Sequence, residues 1–443
     1  MGEVYLPPAA GEPNRLATPA AVRKASTTTE SSIEFVERQE RLEGILAELG
    51  MAERYALDTE FHREKTYWPL LALVQVAWRE SDTRRVRVAL IDPLRVDVKP
   101  LAGLLESPAV MVAHACEQDL EILRHSCATM PGRIFDTQIA AGFAGHTTAS
   151  LASLVKSYLG VDLAKGDRLT DWKARPLSSS QLAYAASDVE YLLDLADKIN
   201  AEVDAAKRTT WVDQECQLLL ERCSKPVDPS RCWWKLRDAR ALKGASRGIA
   251  QEVAAWRERK AAEVDQPVRY VLPDLAIQAI AHRPPATVND LNAIRGLDGR
   301  GVRPSMAAEV LAAIERGRTL SGEDIVAPPS EDVPKEMRAP VALIMAWIAQ
   351  VARSERIDPG LLATRGDVAA FVRDDPQCRL LEGWRSELLL EDLRALRDGR
   401  GALTFTRDGN LVLEESSGRP IGSRGDLGIT RAKVDGQGQD SVF

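Results

Sequence analysis

The strand-forming segments limit the fold most tightly, because they are concentrated in one short part of the chain. Residues 55–60, 70–78 and 86–91 are rich in aliphatic and β-branched side chains and follow one another closely. Three such runs at this spacing predict an antiparallel meander. A further strand is predicted at 109–113, and helical periodicity dominates from residue 117 to about 203. This order predicts an α/β fold with a mixed sheet flanked by helices.

The composition changes along the chain of 443 residues, which is long enough for several domains. From about residue 233 the strand signal disappears and helical periodicity remains, with a Pro-rich break at 327–334. The expected division is a disordered lead at 1–32, an α/β domain at 33–218 that begins with a helix at 33–49, a helical domain at 231–320, a second helical domain at 335–405, and a loose tail at 406–443.

Composition also argues against several classes of protein. No segment approaches the ~18 uncharged apolar residues of a membrane-spanning helix, and the N-terminal residues lack the pattern of an export signal. The six cysteines are scattered without a Cys-x-x-Cys pair, which disfavours zinc sites and a disulfide framework. We therefore expect a soluble cytoplasmic protein with unreactive thiols and no membrane partner.

The charge is unevenly distributed. The whole chain has a formal net charge of −7, yet residues 231–318 carry 16 Lys and Arg against 10 Asp and Glu. A local basic surface can bind phosphates while the whole protein remains acidic. On charge alone, an ordinary solvated helical surface explains this region equally well.

Two acids interrupt the first predicted strand. Asp58 and Glu60 are two residues apart, and the period of a strand puts both side chains on the same face of the sheet. Two carboxylates on a strand that otherwise belongs to the core repel each other and lose hydration, so a cation between them is expected. The alternative is a solvent-facing strand end.

Further acids follow in the predicted helices. Asp119 lies in the first turns of a helix that comes directly after the strand at 109–113. Tyr184 and Asp188 are four residues apart in a helical segment, which places them one above the other. Each feature alone is common, because acids favour first helical turns and a Tyr-x-x-x-Asp pair occurs often by chance.

The combination is similar to the DEDDy type of exonuclease: Asp-x-Glu on a strand, an Asp on a later helix, and Tyr-x-x-x-Asp on another. Within that superfamily the chain resembles the ribonuclease D family over residues 33–205. The loop at 165–170 departs from the family pattern. The resemblance rests on LDTEF at 57–61, LVQVA at 73–77, HAC at 114–116, FDTQ at 135–138, DWKARPL at 171–177 and YAASD at 184–188.

The helical remainder resembles the HRDC domain, a nucleic-acid-binding module found in the same family. A second, more divergent HRDC-like unit is similar over residues 335–403, with the alternative that this unit only packs against the nuclease. The first resemblance rests on WKLR at 234–237, AAWRER at 254–259, VLPD at 271–274, AHRP at 281–284 and IRGL at 294–297.

The resemblance implies a ribonuclease H-like sheet and a reaction centre that uses two divalent cations, Mg²⁺ or Mn²⁺. Asp58, Glu60 and Asp188 would hold one cation, and Asp58 with Asp119 would position the other. Tyr184 would orient the attacking water. Such a pair of cations neutralises the phosphodiester and stabilises the leaving oxygen.

Candidate contacts to the terminal nucleotide are Thr59, Phe61, Gln75, His114 and Trp172, through polar groups for the ribose hydroxyls and rings for stacking. Phe61 and Trp172 equally suit the core, and His114 equally suits a structural role.

Arg175 is expected to fasten its loop through a carboxylate such as Asp171 or Asp136 rather than to bind phosphate.

The function predicted from the resemblance is a 3′-to-5′ exoribonuclease that acts as a monomer on RNA with a free 3′ end, transfer RNA precursors and other small structured RNAs in particular. Two alternatives stay open: a 3′-to-5′ DNA exonuclease of repair, and a nucleic-acid-binding scaffold without catalysis.

Overall fold

The computed structural model describes residues 32–163, 170–297, 304–328 and 333–418. The expected disordered lead up to residue 31, the loop at 165–169 and residues 419–443 of the expected tail lie outside this part of the chain. Within it, no helix is both long enough and apolar enough to cross a bilayer.

Six strands of the described chain form one mixed sheet in the order β1-β4-β3-β2-β5-β6. The predicted antiparallel meander is present as β2-β3-β4, whereas β1 runs parallel to β4, β5 to β2, and β6 to β5. A separate hairpin contains β7 and β8. The strands are β1 Ser32–Val36, β2 Arg54–His62, β3 Leu70–Arg79, β4 Val86–Ile91, β5 Val110–Ala113, β6 Ile134–Asp136, β7 Gly401–Phe405 and β8 Leu411–Glu415.

Helices flank the sheet and make up most of the remaining described chain. They are α1 Gln39–Leu49, α2 Leu101–Leu105, α3 Glu117–Cys127, α4 Thr137–Phe143, α5 Leu151–Leu159, α6 Ser179–Glu190, α7 Leu192–Ala205, α8 Thr209–Ser224, α9 Ala245–Glu263, α10 Val268–Val271, α11 Asp274–His282, α12 Val288–Asn292, α13 Pro304–Thr319, α14 Arg338–Glu355, α15 Pro359–Leu362, α16 Arg365–Val372 and α17 Gly383–Arg397.

Three short strands depart from the prediction. The helix expected at 33–49 begins only at Gln39, because the preceding residues pair with β4, a partner that is distant in sequence. β6 is three residues long and lies in a region where helices were expected to dominate and no strand was assigned. The tail was expected to be loose from residue 406, yet β8 pairs with β7 and contacts α14. Each strand depends on tertiary partners that a local pattern does not show.

The two helical regions of the second half are built differently. The first has its own hydrophobic core, centred on the fully buried Trp233 and Ile277. In the second, side chains such as Ile344 and Leu389 belong to the same buried cluster as the sheet residues. The second unit is therefore packed on the α/β domain, which agrees with the alternative left open by its sequence.

Trp384 is the centre of this shared core. It is 1% exposed, its ring stacks on Trp211 with 5.1 Å between centroids, and it meets the edge of Phe143 at 5.0 Å. Beside it, Arg385 donates two hydrogen bonds of 2.6 and 2.9 Å to the Glu215 carboxylate. The ion pair and the aromatic cluster together join α17 to α8.

We predict that R385M lowers the free energy of unfolding by about 3–5 kcal/mol, because it leaves the Glu215 carboxylate buried without a cation. The midpoint of urea unfolding measures this change. R400M is the matched control: Arg400 lies 3.6 Å from Glu391 in an exposed pair, and its loss is expected to cost less than about 1 kcal/mol. Equal midpoints for R385M and R400M would contradict the shared core.

Candidate active site

The first pair of acids lies where β2 runs beside β3. Asp58 and Glu60 are on β2, directly across from Gln75 and Leu73. The pairing shifts between Glu60 and Phe61, so an irregularity of the ladder follows directly after the second acid. The period of two places both carboxylates on one face, and the irregularity bends the strand where it leaves the site.

Helix α3 brings Asp119 to the same place. Asp119 is 7% exposed and accepts a hydrogen bond from the Thr59 hydroxyl. The start of α3 is fixed by Asp136, whose carboxylate accepts hydrogen bonds from the backbone N–H groups of Ala115 at 3.1 Å and Cys116 at 2.9 Å. Asp136 thus positions Asp119 through the turn that precedes its helix.

Helix α6 supplies the remaining predicted residues. Tyr184 and Asp188 lie one turn apart on this helix, which begins with a capping box and packs across β2, β3 and β4. One oxygen from each of Asp58, Glu60 and Asp188 lies within 4.8 Å of the others. The fold therefore brings together carboxyl groups that are up to 130 positions apart in the sequence.

Burial is the main cause of the raised pKa values in this cluster. It raises the pKa of Glu60 to about 8, of Asp188 to about 7 and of Asp119 to about 6, and that of Asp58 well above its ordinary value. The carboxylates add to one another's shifts, most of all at Asp58. Burial and the neighbouring carboxylates also raise the pKa of Tyr184.

These acids fit divalent cations. None of the four forms an ion pair with a described Lys or Arg, so the neighbouring side chains leave the negative charge of the cluster uncompensated. The donor atoms are carboxylate oxygens, which suit Mg²⁺ or Mn²⁺ rather than zinc. A bound cation would favour the ionised carboxylates and so lower their pKa values.

Arg175 fastens its loop, as expected, but the predicted partner was wrong. Its guanidinium donates to both carboxylate oxygens of Asp92, at 2.6 and 2.7 Å, and to the carbonyl of Ala72 at 2.7 Å. Asp92 is 1% exposed. The carboxylate of Asp136 is occupied by backbone amides, and Asp171 is exposed to solvent.

The aromatic candidates for nucleotide contact lie close to the acids. The half-buried Trp172 ring is 6.2 Å from that of Tyr184, at an interplanar angle of 33°. Phe61 is half-buried and packs against the core of the sheet. The Trp172 ring therefore lies beside the tyrosine of the cluster, while the Phe61 ring contributes to packing.

The polar candidates are more enclosed. The Gln75 side chain is completely buried, and neither polar atom of its amide has a partner in the described part of the chain. His114 is half-buried, with Nδ1 3.0 Å from the Thr137 hydroxyl, and burial lowers its pKa. The Thr59 hydroxyl is engaged by Asp119.

Two positioning roles were missed by sequence reasoning. Asp92 follows β4 directly, and Asp136, which was named only as a candidate partner of Arg175, ends β6. An acid directly after the predicted strand at 86–91 was a signal that could have identified Asp92, whereas β6 itself was not predicted. Their partners could not be named, because the backbone amides and Arg175 come from distant segments.

Two family models and several curated proteins match parts of the chain. Residues 33–204 match a family model described as 3′-5′ exonuclease, and residues 246–314 match an HRDC domain model. The chain is 33% identical to ribonuclease D of Gluconacetobacter diazotrophicus, over 82% of this chain and 92% of that protein. It is 35% identical to ribonuclease D of Escherichia coli, over 77% of this chain and 92% of that one.

A solved structure is also similar. The crystal structure of Escherichia coli RNase D, an exoribonuclease involved in structured RNA processing, aligns with a TM-score of 0.72 and 30% sequence identity. The alignment covers 83% of this chain and 99% of that structure.

We predict that D58N raises the free energy of unfolding of the metal-free protein at pH 8 by about 1–3 kcal/mol, because the folded protein no longer has to charge or protonate a carboxyl group whose pKa is raised by burial and by its neighbours. Added Mn²⁺ should raise the Tm of the wild type but not that of D58N. Thermal unfolding in EDTA and in Mn²⁺ tests both points. D82N, at the exposed Asp82, should behave like the wild type. A manganese shift retained in full by D58N would exclude Asp58 as a ligand.

Proposed function

Because the chain belongs to the ribonuclease D family, we propose that it trims structured RNA precursors, transfer RNA precursors among them, from their 3′ ends. The 3′-to-5′ exoribonuclease activity is that of the family, and the exonuclease region spans the sheet and its flanking helices. Hydrolysis of the last phosphodiester would release one nucleoside 5′-monophosphate at a time.

The observation that carries this proposal is the convergence of four carboxyl groups from β2, α3 and α6 at one place. A scaffold without catalysis has no need for such a cluster, since each buried carboxylate costs free energy in the absence of a counter-charge. The exonuclease family is dependent on divalent metal, and the cluster provides the ligands for it.

We assign one cation to Asp58, Glu60 and Asp188 and a second to Asp58 and Asp119, with Mg²⁺ and Mn²⁺ as the proposed ions. Bound there, such ions supply charge neutralisation at the phosphodiester and stabilise the leaving oxygen. The four acids hold their positions through the strand, the Thr59 hydroxyl and the capped helix. The chain itself thus sets the spacing of the charges.

The remaining roles follow from position. Tyr184 orients the attacking water, since its hydroxyl lies against the Asp188 carboxylate. The Trp172 ring lies beside Tyr184, Phe61 follows Glu60 in β2, and both rings are the candidates for stacking on the terminal base. His114 and the enclosed amide of Gln75 are the candidates for ribose contact, while the Thr59 side chain positions Asp119.

We propose that the rest of the RNA is bound by the region of residues 231–318, where 16 Lys and Arg exceed 10 Asp and Glu. Binding through phosphates should weaken steeply with salt.

We also propose that the enzyme acts as a cytoplasmic monomer, because one chain provides all four acids and Tyr184, and all six cysteines are free thiols. Light scattering after gel filtration tests the monomer.

We predict that the wild type releases mononucleotides from labelled RNA in Mn²⁺ or Mg²⁺ and not in EDTA, and that DNA of equal sequence is cut much more slowly. The products are resolved by thin-layer chromatography. Release from DNA alone would point to a repair exonuclease instead. Binding of RNA without release of mononucleotides in either metal would support the alternative of a nucleic-acid-binding scaffold without catalysis.

We predict that D188N lowers kcat by about a thousandfold or more, which corresponds to about 4 kcal/mol, because a ligand of the reaction centre loses its charge. Y184F should lower kcat about tenfold to a hundredfold, since the water loses its orienting hydroxyl. The Kd for RNA, measured by fluorescence anisotropy, should stay within about twofold of the wild type for both. A Y184F variant with full kcat would remove the tyrosine from the mechanism.

A further inference from the structure

The loop between β2 and β3, residues 63–69, joins the two halves of the molecule. Its stems are the strand that carries Asp58 and Glu60 and the strand that carries Gln75. Its tip lies on the C-terminal end of α9, a helix of the region that matches the HRDC domain. We refer to residues 63–69 as the β2–β3 loop.

Helix α9 and Asp265, two residues beyond its end, hold this loop by four hydrogen bonds. One carboxylate oxygen of Asp265 accepts from the backbone N–H groups of Tyr67 at 3.1 Å and Trp68 at 3.0 Å. The Tyr67 hydroxyl donates to Glu258 at 2.8 Å, and the Trp68 indole N–H donates to the carbonyl of Ala262 at 3.3 Å. Tyr67 also packs against the core of the first helical unit.

The other side of the loop lies on α3, the helix that carries Asp119. The Trp68 ring stacks on His125, with 4.5 Å between centroids and 3° between planes. Arg63 donates two hydrogen bonds of 2.8 Å to the Glu121 carboxylate. The loop is therefore held between α9 on one side and α3 on the other.

We propose that the end of α9 positions the reaction centre through the β2–β3 loop, a role for the HRDC region beyond binding RNA. The ladder of β2 is irregular directly after Glu60, and only two residue pairs, Phe61 with Leu71 and His62 with Leu70, hold the end of this strand beyond the irregularity. Arg63, three residues after Glu60, is the first residue of the loop. A fixed loop holds the C-terminal end of β2 in place and also contacts α3. It thereby maintains the distance between Glu60 on β2 and Asp119 on α3.

Asp265 is the residue through which the inference is best tested. It is exposed and has a φ of 48°, a left-handed conformation that Asn and Gly also adopt. D265G removes the carboxylate that binds both loop amides, whereas D265N keeps an oxygen that accepts hydrogen bonds. E263A is the matched control, because Glu263 is an exposed acid of the same helix end that pairs with Lys260 and not with the loop.

The substrate for this test is a 5′-labelled trinucleotide, chosen so that few contacts outside the reaction centre contribute, alongside a long structured RNA. The inference rests on the proposed exoribonuclease activity. We expect D265G to lower kcat on the trinucleotide about tenfold with KM within about twofold, since small misplacements of reacting groups cost large factors in rate. D265N should recover most of this loss, and E263A should match the wild type.

Hydrogen–deuterium exchange gives a second readout that needs no catalysis, so the inference can fail independently of the proposed function. In D265G, peptides that cover residues 59–69 should exchange faster than in the wild type, with D265N close to the wild type. Faster exchange confined to 63–69, together with unchanged kcat on the trinucleotide, would overturn the proposal. A D265G variant that raises only the KM for the long RNA would show that α9 merely binds substrate.

Discussion

Mutual repulsion between carboxyl groups held close together, one buried and three half-buried, is the constraint around which the first half of this molecule is organised. Asp58, Glu60, Asp119 and Asp188 come from three elements, and each would be more stable ionised in water. The fold holds them together through rigid parts: a strand inside a sheet, a helix fixed by Asp136, and a helix with a capping box. The stability lost at the cluster is supplied by the large core beneath it.

Much of the fold and site could be predicted from the sequence, because the strongest signals are local. The meander follows from three apolar runs, and the set of acids was predicted from a combination of motifs that resembles the DEDDy exonucleases. The comparisons confirm the family and its α/β fold. The short β1 and β6 were missed because their stability comes from partners far along the chain. The partner of Arg175 was wrong for the same reason: Asp92 is 83 residues away, and only folding makes them neighbours.

The two helical units show how similar sequence patterns can have different physical roles. The unit around Trp233 has its own core and contacts the nuclease domain through hydrogen bonds to the β2–β3 loop. The unit around Trp384 contributes to the core of the sheet domain itself. Hydrophobic periodicity predicts an apolar helix face but does not say which surface will cover it, so the two arrangements look alike in sequence.

The shared core around Trp384 has a consequence for how the protein is made. All four acids have been synthesised once the ribosome has passed residue 188. The rings of Trp211 and Phe143 are covered by Trp384 on α17, which is synthesised nearly two hundred residues after Asp188. At translation rates of about 5–20 residues per second, this interval lasts on the order of 10–40 seconds. Until α17 emerges, the part of the nascent chain that contains Phe143 and Trp211 lacks the Trp384 ring that covers them in the folded protein.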